Sequence, residues 1–191
     1  MLRRRSTTSY FRESSSKVTA ILLPVCIIPK TGTIVRPSLM VARNDPMESV
    51  LQFVATLSAG LFAGAATYVT FVEHPARLQC GTSLAVTEFG PSYKRAAAMQ
   101  APLATIGFLS GTAAWLTGAT ILWAAGGLIL AVTVMVTLIV IFPTNKQLLD
   151  PALDKESPLA KRLLVRWGWL HVLRTILSVV AFVMFLILKS R

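Results

Sequence analysis

Two short polar clusters stand at the ends of apolar runs, and their side chains could carry out acid–base chemistry. In TYVTFVEHPARLQ an apolar run finishes on a carboxylate, an imidazole and a guanidinium, at Glu73, His74 and Arg77. In RWGWLHVLRTIL the second of the chain's two histidines, His171, precedes Arg174 by about one helical turn. Histidine can act as a general base, and arginine can stabilise the anion that forms when a proton is removed.

The second cluster lies on one face of its predicted helix. At about 100° per residue, Trp167, His171 and Arg174 fall within a sector of about 60°, together with Ser178. A guanidinium inside a membrane span costs at least ~2.5 kcal/mol unless it is paired or hydrated. We therefore expect this face to point into the protein, with Glu73 as the partner of Arg174.

The runs that carry these clusters predict a membrane protein. Of the 191 residues, 54% are hydrophobic and only 14% are charged, whereas about a quarter of a soluble domain is charged. Apolar runs of this length predict an all-α fold, an antiparallel four-helix bundle integral to the lipid bilayer. The predicted spans are about residues 50–72, 101–116, 119–142 and 170–188, within a domain of residues 47–191.

The segments between the runs contain turn and capping signals. Gly118 predicts a tight hairpin between the second and third runs. Gly90 and Pro91 predict a turn in the first connection. Ser157 followed by Pro158 is typical of the start of a helix, and this helix could continue directly into the fourth span.

An even number of spans brings the unusual polar residues of the body to one side of the bundle. The end of the first helix, the start of the second, the end of the third and the start of the fourth all lie there. We predict a functional site at this level, and two sets of residues for it. The catalytic candidates are His171, His74, Arg174 and Glu73, and the substrate-binding candidates are Trp167, Tyr93, Asn145, Arg77 and Gln100.

Structural roles compete with this interpretation. A Glu73–Arg174 salt bridge could serve only to fix helix register, and Trp167 could be an anchor at the membrane interface. A functional site and a purely structural role predict different surroundings for the polar cluster. A cavity of about a few hundred Å³ favours a binding or catalytic site, and a closed salt bridge favours a structural protein.

The same residues include a set that could bind a metal. His74, His171 and Glu73 provide two nitrogens and a carboxylate, which suit non-haem iron or zinc. However, neighbours such as Glu73 and His74 point about 100° apart on a regular helix, and two arginines nearby would repel a cation. The sequence therefore predicts no metal site, and it contains no phosphate-binding loop, zinc-finger spacing or nucleophile elbow.

Residues 1–46 differ from the rest of the chain. They are rich in Arg, Ser and Thr and poor in acids, which is typical of a transit peptide and would predict a mitochondrial protein. The alternatives are a disordered tail, or an upstream extension of a protein that naturally starts at Met47. The net charge of +11 is spread over this tail and the loops beside the spans. This pattern favours lipid headgroups over nucleic acid, and it places the two long connections in the cytosol.

Four segments together resemble the signature of a family of small four-helix membrane proteins that includes the fungal anthrone oxygenases. The segments are GLFAGAATYVTFVEHPAR, YKRAAAMQAPLA, IFPTNKQL and RWGWLHVLRTILSVVAF, and the resemblance covers about residues 49–188. It implies the four-helix membrane fold. It also implies an oxidoreductase, a monooxygenase that oxidises a hydrophobic aromatic substrate of the anthrone type with dioxygen.

The resemblance also suggests how such a reaction would use these residues. His171 or His74 would remove a proton from the methylene carbon of the anthrone, and Arg174 would hold the anion. Trp167 and Tyr93 would stack on the flat rings. This scheme requires no cofactor.

Two other classes of protein remain open from the sequence. One is a non-enzymatic carrier or assembly factor that uses the polar cluster as a binding site. A carrier would have to form a homo-oligomer, because four short helices leave little room for a translocation path. The other is a purely structural membrane protein.

Overall fold

The computed structural model describes residues 45–191, and this part of the chain consists of four long helices with no strand. The predictions for the tail lie outside the described residues, apart from its last two positions. The helices, numbered here in chain order, are α1 Pro46–Gln79, α2 Thr82–Leu116, α3 Ile121–Leu148 and α4 Pro158–Lys189.

The first and last helices each begin with a side-chain cap, and the one at Ser157 was predicted from the sequence. The Asp45 carboxylate accepts a hydrogen bond from the backbone N–H of Met47 at 3.0 Å. The Ser157 hydroxyl accepts one from the backbone N–H of Ala160 at 3.1 Å, with Pro158 in the first helical position. Both caps satisfy N–H groups that the helix itself leaves free. The predicted start of the fourth helix is confirmed, and this helix runs without a break into the last apolar run.

The four helices form an antiparallel bundle, as predicted. Each helix packs against its neighbours in the chain, and α4 closes the bundle against α1. Gly118 makes the turn between α2 and α3 with φ of +123°, a conformation that costs a residue with a Cβ atom more than glycine. The α2–α3 contact is close because Gly107 has no side chain: a Cβ there would lie 2.6 Å from Leu130.

Two helices contain a π-helical turn just before a proline. In α1 the turn is Val69–Glu73, ahead of Pro75, and in α3 it is Thr137–Ile141, ahead of Pro143. Proline has no N–H to donate and its ring clashes with the preceding turn, so a wider turn lets the helix continue. Helix α1 therefore widens ahead of Pro75 and continues to Gln79.

The predicted turn at Gly90 and Pro91 is wrong. Helix α2 passes through both residues and is 35 residues long, so only Cys80 and Gly81 separate it from α1. Packing outweighs the local turn signal, because Phe89 is fully buried against the other helices. The predicted span of residues 101–116 is therefore the second part of a longer helix.

The surface of the bundle is strongly apolar. Large hydrophobic side chains such as Phe71, Leu116 and Trp169 are at least 70% exposed, which is typical of a membrane protein and not of a soluble one. Judged by length and composition, α1, α3 and α4 could each cross a bilayer. Helix α2 does not meet the same criteria, so the count of four spans stays a prediction.

Candidate functional site

A cavity lies inside the bundle at the end where the polar clusters converge. Its volume is about 150 Å³, and all four helices line it. An open cavity, and not a closed Glu73–Arg174 salt bridge, therefore lies at the polar cluster, and it is smaller than the few hundred Å³ expected of a binding site. Seven of the nine predicted site residues line it: Glu73, Arg77, Tyr93, Gln100, Trp167, His171 and Arg174.

His171 is buried in the wall of this cavity and is held on two sides. Its ring stacks on Trp167 with the centroids 4.7 Å apart. Its Nδ1 atom lies 2.9 Å from the hydroxyl of Thr70, on the π-helical turn of α1. That hydroxyl lies 2.7 Å from the hydroxyl of Thr175, one turn after the histidine. The imidazole is therefore fixed in orientation by groups from two helices.

Arg174 lies one turn from His171 on the same wall, but its predicted partner is wrong. The guanidinium donates a hydrogen bond to the side-chain oxygen of Gln100 at 2.6 Å and lies over the ring of Phe62, 5.0 Å from its centroid. Within residues 45–191, no carboxylate is in salt-bridge distance of it. Its buried Nε atom has no hydrogen-bond partner there either.

Glu73 is paired instead with Arg77, one turn further along α1. Arg77 is 6% exposed and forms ion pairs with both Glu73 and Glu88, and the hydroxyl of Ser92 bonds to Glu73 and Arg77. The Nε atom of Arg77 lies within ion-pair distance of the Glu88 carboxylate, but the angles between them do not make a hydrogen bond. This arrangement exists because α1 continues beyond Pro75, which brings Arg77 back to the face of Glu73. The carboxylate is thereby unavailable to Arg174.

The two remaining predicted residues, His74 and Asn145, lie behind Trp167 and not at the cavity. His74 packs on the indole with the ring centroids 5.0 Å apart. The side-chain oxygen of Asn145 accepts a 2.8 Å hydrogen bond from the indole nitrogen of Trp167. Gly168 leaves the space for the imidazole, since a Cβ there would lie 2.6 Å from its Nε2 atom. Both residues hold Trp167 in place.

Aromatic rings line the cavity beside its charged groups, and the guanidinium of Arg77 lies 5.7 Å from the centroid of the Phe89 ring. Phe89 and Tyr93 stack with nearly parallel rings, 4° apart in plane. Phe89 also meets the edge of Trp167 at 88°. Flat aromatic ligands pack well against such rings.

One side of the cavity is formed by small and aliphatic residues of α2 and α3. Ala97 and Ala101 of α2 and Val134 and Leu138 of α3 line it there. Ala101 and Leu138 are themselves exposed on the outer surface of the bundle. The π-helical turn of α3 at this level packs mainly against α4, so α2 and α3 separate beside the cavity.

Among the site residues that the sequence did not reveal are the hydroxyl groups of Thr70, Thr175 and Ser92. Thr175 follows His171 by four residues and therefore shares its face, a signal that was available. Thr70 had no such signal, because its direction depends on the π-helical turn. Ser92 follows the wrongly predicted turn at Gly90 and Pro91 and lies inside a helix that starts ten residues earlier.

The described residues offer no obvious metal site. Between positions 45 and 191, no three of the His, Cys, Asp and Glu side chains are grouped closely enough to hold an ion. His74, His171 and Glu73 are therefore not arranged as a ligand set. His74 stands behind Trp167, and Glu73 is occupied by Arg77.

A family described as anthrone oxygenase matches residues 89–184, which is just over half of the chain and includes most of the cavity wall on α2, α3 and α4. The motif of the first helix, with Glu73 and His74, lies outside the matched range. No curated protein and no solved structure matches the chain.

Proposed function

The chain belongs to the anthrone oxygenase family, and from that premise we propose that it oxidises an anthrone-type aromatic substrate with dioxygen at the cavity described above. The membrane-protein character and the family are established. The reaction, its substrate and the role of each residue are the proposal.

One observation carries it: a histidine and an arginine without a carboxylate partner share one cavity wall. His171 is held by neutral groups, and Arg174 by a neutral amide and an aromatic ring. A positive charge that no carboxylate neutralises favours an anion in the cavity. A base beside such a charge is suited to a substrate that becomes an anion by losing a proton.

An anthrone is such a substrate. Its methylene carbon, between two aromatic rings, is acidified by the carbonyl group across the central ring. His171 would take a proton from this carbon, and Arg174 would stabilise the negative charge on the carbonyl oxygen. The electron-rich anion then reacts with dioxygen to give a hydroperoxide, and loss of water leaves a second carbonyl group. Anthrone and dioxygen thus give anthraquinone and water, and the histidine returns its proton.

The cavity suits a flat ligand inserted from one edge. Its volume of about 150 Å³ is less than the ~300 Å³ at the lower end for sites that enclose a drug-sized ligand. The separation of α2 from α3 beside Ala101 and Leu138 would leave room for the outer ring of a tricycle. Trp167, Tyr93 and Phe62 would contact the rings that lie inside.

The test is an oxidation assay on purified protein in detergent or lipid. Anthrone is added in aerated buffer, and anthraquinone absorbance and oxygen consumption are followed together, with and without a chelator. We expect one dioxygen to be consumed per quinone, at a rate well above that of protein-free micelles. Because anthrones oxidise slowly by themselves, the His171→Gln protein serves as a second blank. Its enzymatic rate should be at least ~100-fold below that of the wild type.

A matched variant keeps this assay specific. Thr133→Val removes a buried hydroxyl from α3 that bonds only to the backbone, outside the cavity lining, and should leave the rate unchanged. Equal rates for wild type, His171→Gln and empty micelles would refute the proposal. Saturable binding of anthrone with no quinone formed would favour the alternative of a non-enzymatic carrier.

A further inference from the structure

The hydrogen bonds behind His171 form a chain whose direction can be worked out. The Thr175 hydroxyl lies 3.1 Å from the backbone oxygen of His171 and 3.2 Å from that of Ala66. Carbonyl oxygens only accept hydrogen bonds. The single hydroxyl hydrogen of Thr175 is assigned to one of these two oxygens, because a threonine hydroxyl commonly donates to the carbonyl oxygen four residues earlier in its own helix.

The next links follow from this one. Because Thr175 has used its hydrogen, its oxygen can only accept from Thr70 across the 2.7 Å contact. Thr70 then has no hydrogen left for the imidazole, so its oxygen must accept across the 2.9 Å contact with Nδ1 of His171. The proton of the neutral imidazole is therefore on Nδ1.

We infer that Thr70 and Thr175 are positioning residues that hold His171 in the Nδ1–H tautomer and leave Nε2 unprotonated as the basic atom of the cavity. Nε2 makes no hydrogen bond within the described residues, and the ring lines the cavity. The tautomer rests on geometry alone. The use of Nε2 as the catalytic base rests on the function proposed above.

This direction of the chain suits a base that gains and returns a proton. When Nε2 takes the proton of a carbon acid, the imidazolium has N–H groups at both nitrogens. The Nδ1–H bond to Thr70 is present before and after this step, so no hydroxyl has to rotate. With the opposite direction, Thr70 would point its hydrogen at Nδ1 and would have to turn away whenever the ring became charged.

The hydrogen-bonded groups behind His171 come from two helices, and most of them are buried. Thr70 lies on the π-helical turn of α1, whereas Thr175 lies on α4, so the two hydroxyls come from different helices. His171 and Thr175 are almost fully buried, at 2% and 5% exposure. Water has little access to the imidazole or to the Thr175 hydroxyl, which is why the loss of that hydroxyl should be felt at the ring.

Nitrogen NMR of histidine-labelled protein tests the tautomer directly and needs no substrate. The chain has only two histidines, so His74→Gln or His171→Gln assigns the signals. In the wild type, Nδ1 of His171 should carry the proton and Nε2 should have the shift of an unprotonated imidazole nitrogen. A wild-type spectrum with the proton on Nε2 would overturn the inference, whatever the enzyme does.

Variants then show whether the threonines hold the tautomer. Thr70→Val should shift the tautomer ratio toward Nε2–H by at least about fivefold, as expected for the loss of one hydrogen bond, and should slow quinone formation in proportion to the fraction of the Nδ1–H tautomer that is lost. Thr70→Ser keeps the hydroxyl and should restore both, and Thr133→Val should change neither. An unchanged tautomer in both Thr70→Val and Thr175→Val would contradict the positioning role. If the tautomer behaves as inferred and no variant forms quinone, the inference stands and the proposed reaction fails.

Discussion

Arg174 donates a 2.6 Å hydrogen bond to Gln100 across the bundle, from α4 to α2, and this neutral amide takes the place of the expected carboxylate. Gln100 is 1% exposed, so water cannot easily replace it. A cation held in this way keeps most of its charge available to a ligand. The price is stability, because a buried charge without an opposite charge is costly.

The first prediction separates the destabilising effect of the buried charge on Arg174 from the stabilising effect of its hydrogen bond to Gln100. Gln100→Leu should lower the free energy of unfolding by about 1–3 kcal/mol, because it leaves a buried cationic donor unpaired. Adding Arg174→Met removes the charge as well, so the double variant should regain at least the stability of the wild type. Denaturation of both variants in the same detergent measures this. A double variant as unstable as Gln100→Leu alone would show that the loss of stability does not come from an unpaired charge on Arg174.

The second prediction concerns the two carboxylates around Arg77. The side chain of Glu73 is 25% exposed and that of Glu88 is 45% exposed. Glu73→Gln should therefore cost about 2 kcal/mol, and Glu88→Gln less than about 1 kcal/mol, since solvent screens the outer pair. The two variants are each other's control because both remove one negative charge next to Arg77. If thermal unfolding shows the same loss of stability for both variants, burial does not set the strength of these ion pairs.

The presence of the helices, and the end of the bundle at which the site lies, could be predicted from the sequence because both follow from local patterns. The apolar runs, Gly118 and Ser157 indicate where helices run and turn. The partners inside the site could not be predicted, because they depend on helix rotation. The wider π-helical turns change which side chains meet, and no residue type indicates this change in the sequence. Glu73 was therefore assigned to Arg174, although it bonds to its own helical neighbour Arg77.

The third prediction concerns the support of Trp167. Its indole N–H donates to Asn145 inside the protein. Trp167→Phe and Asn145→Leu should each cost about 1–3 kcal/mol, because each leaves the other group without a partner. The double variant should cost about 1–2 kcal/mol less than the sum of the two. Unfolding of all three variants gives this coupling energy.

The control for that coupling is the tryptophan at the other end of the bundle. Trp123 is 2% exposed and stacks on Phe185. Trp123→Phe combined with Asn145→Leu should be additive within about 0.5 kcal/mol, since distant sites do not interact. Coupling of equal size in both pairs would show a general loosening of the bundle and no specific bond.

The fourth prediction concerns topology, which the structure leaves as a proposal. Basic residues cluster on the side of the connections that follow α1 and α3, so this side should face the cytosol. Cys80 lies in the first of these connections and is exposed. A membrane-impermeant thiol reagent should label it in inverted vesicles and not in intact cells, with Cys26→Ser as the background to exclude the other cysteine. Labelling only from outside would reverse the orientation.

The last prediction uses two glycines with different surroundings. A Cβ on Gly168 would lie 2.6 Å from the ring of His74, whereas a Cβ on Gly64 would meet nothing within 4 Å. His74 cannot easily move, because it is buried against Trp167. Gly168→Ala should therefore cost about 1–3 kcal/mol through the clash. Gly64→Ala should be neutral, or stabilising by up to about 1 kcal/mol through better helix propensity.

A steric clash can be distinguished from a backbone effect of Gly168→Ala by also removing the imidazole of His74. His74→Ala combined with Gly168→Ala should be more stable than the sum of the two single changes predicts, because the added methyl group then enters the space left by the ring. Thermal unfolding of the four proteins measures the difference. If Gly168→Ala is as harmless as Gly64→Ala, the close approach of α4 to His74 is not present in the protein, and the account of how Trp167 is held at the cavity is wrong.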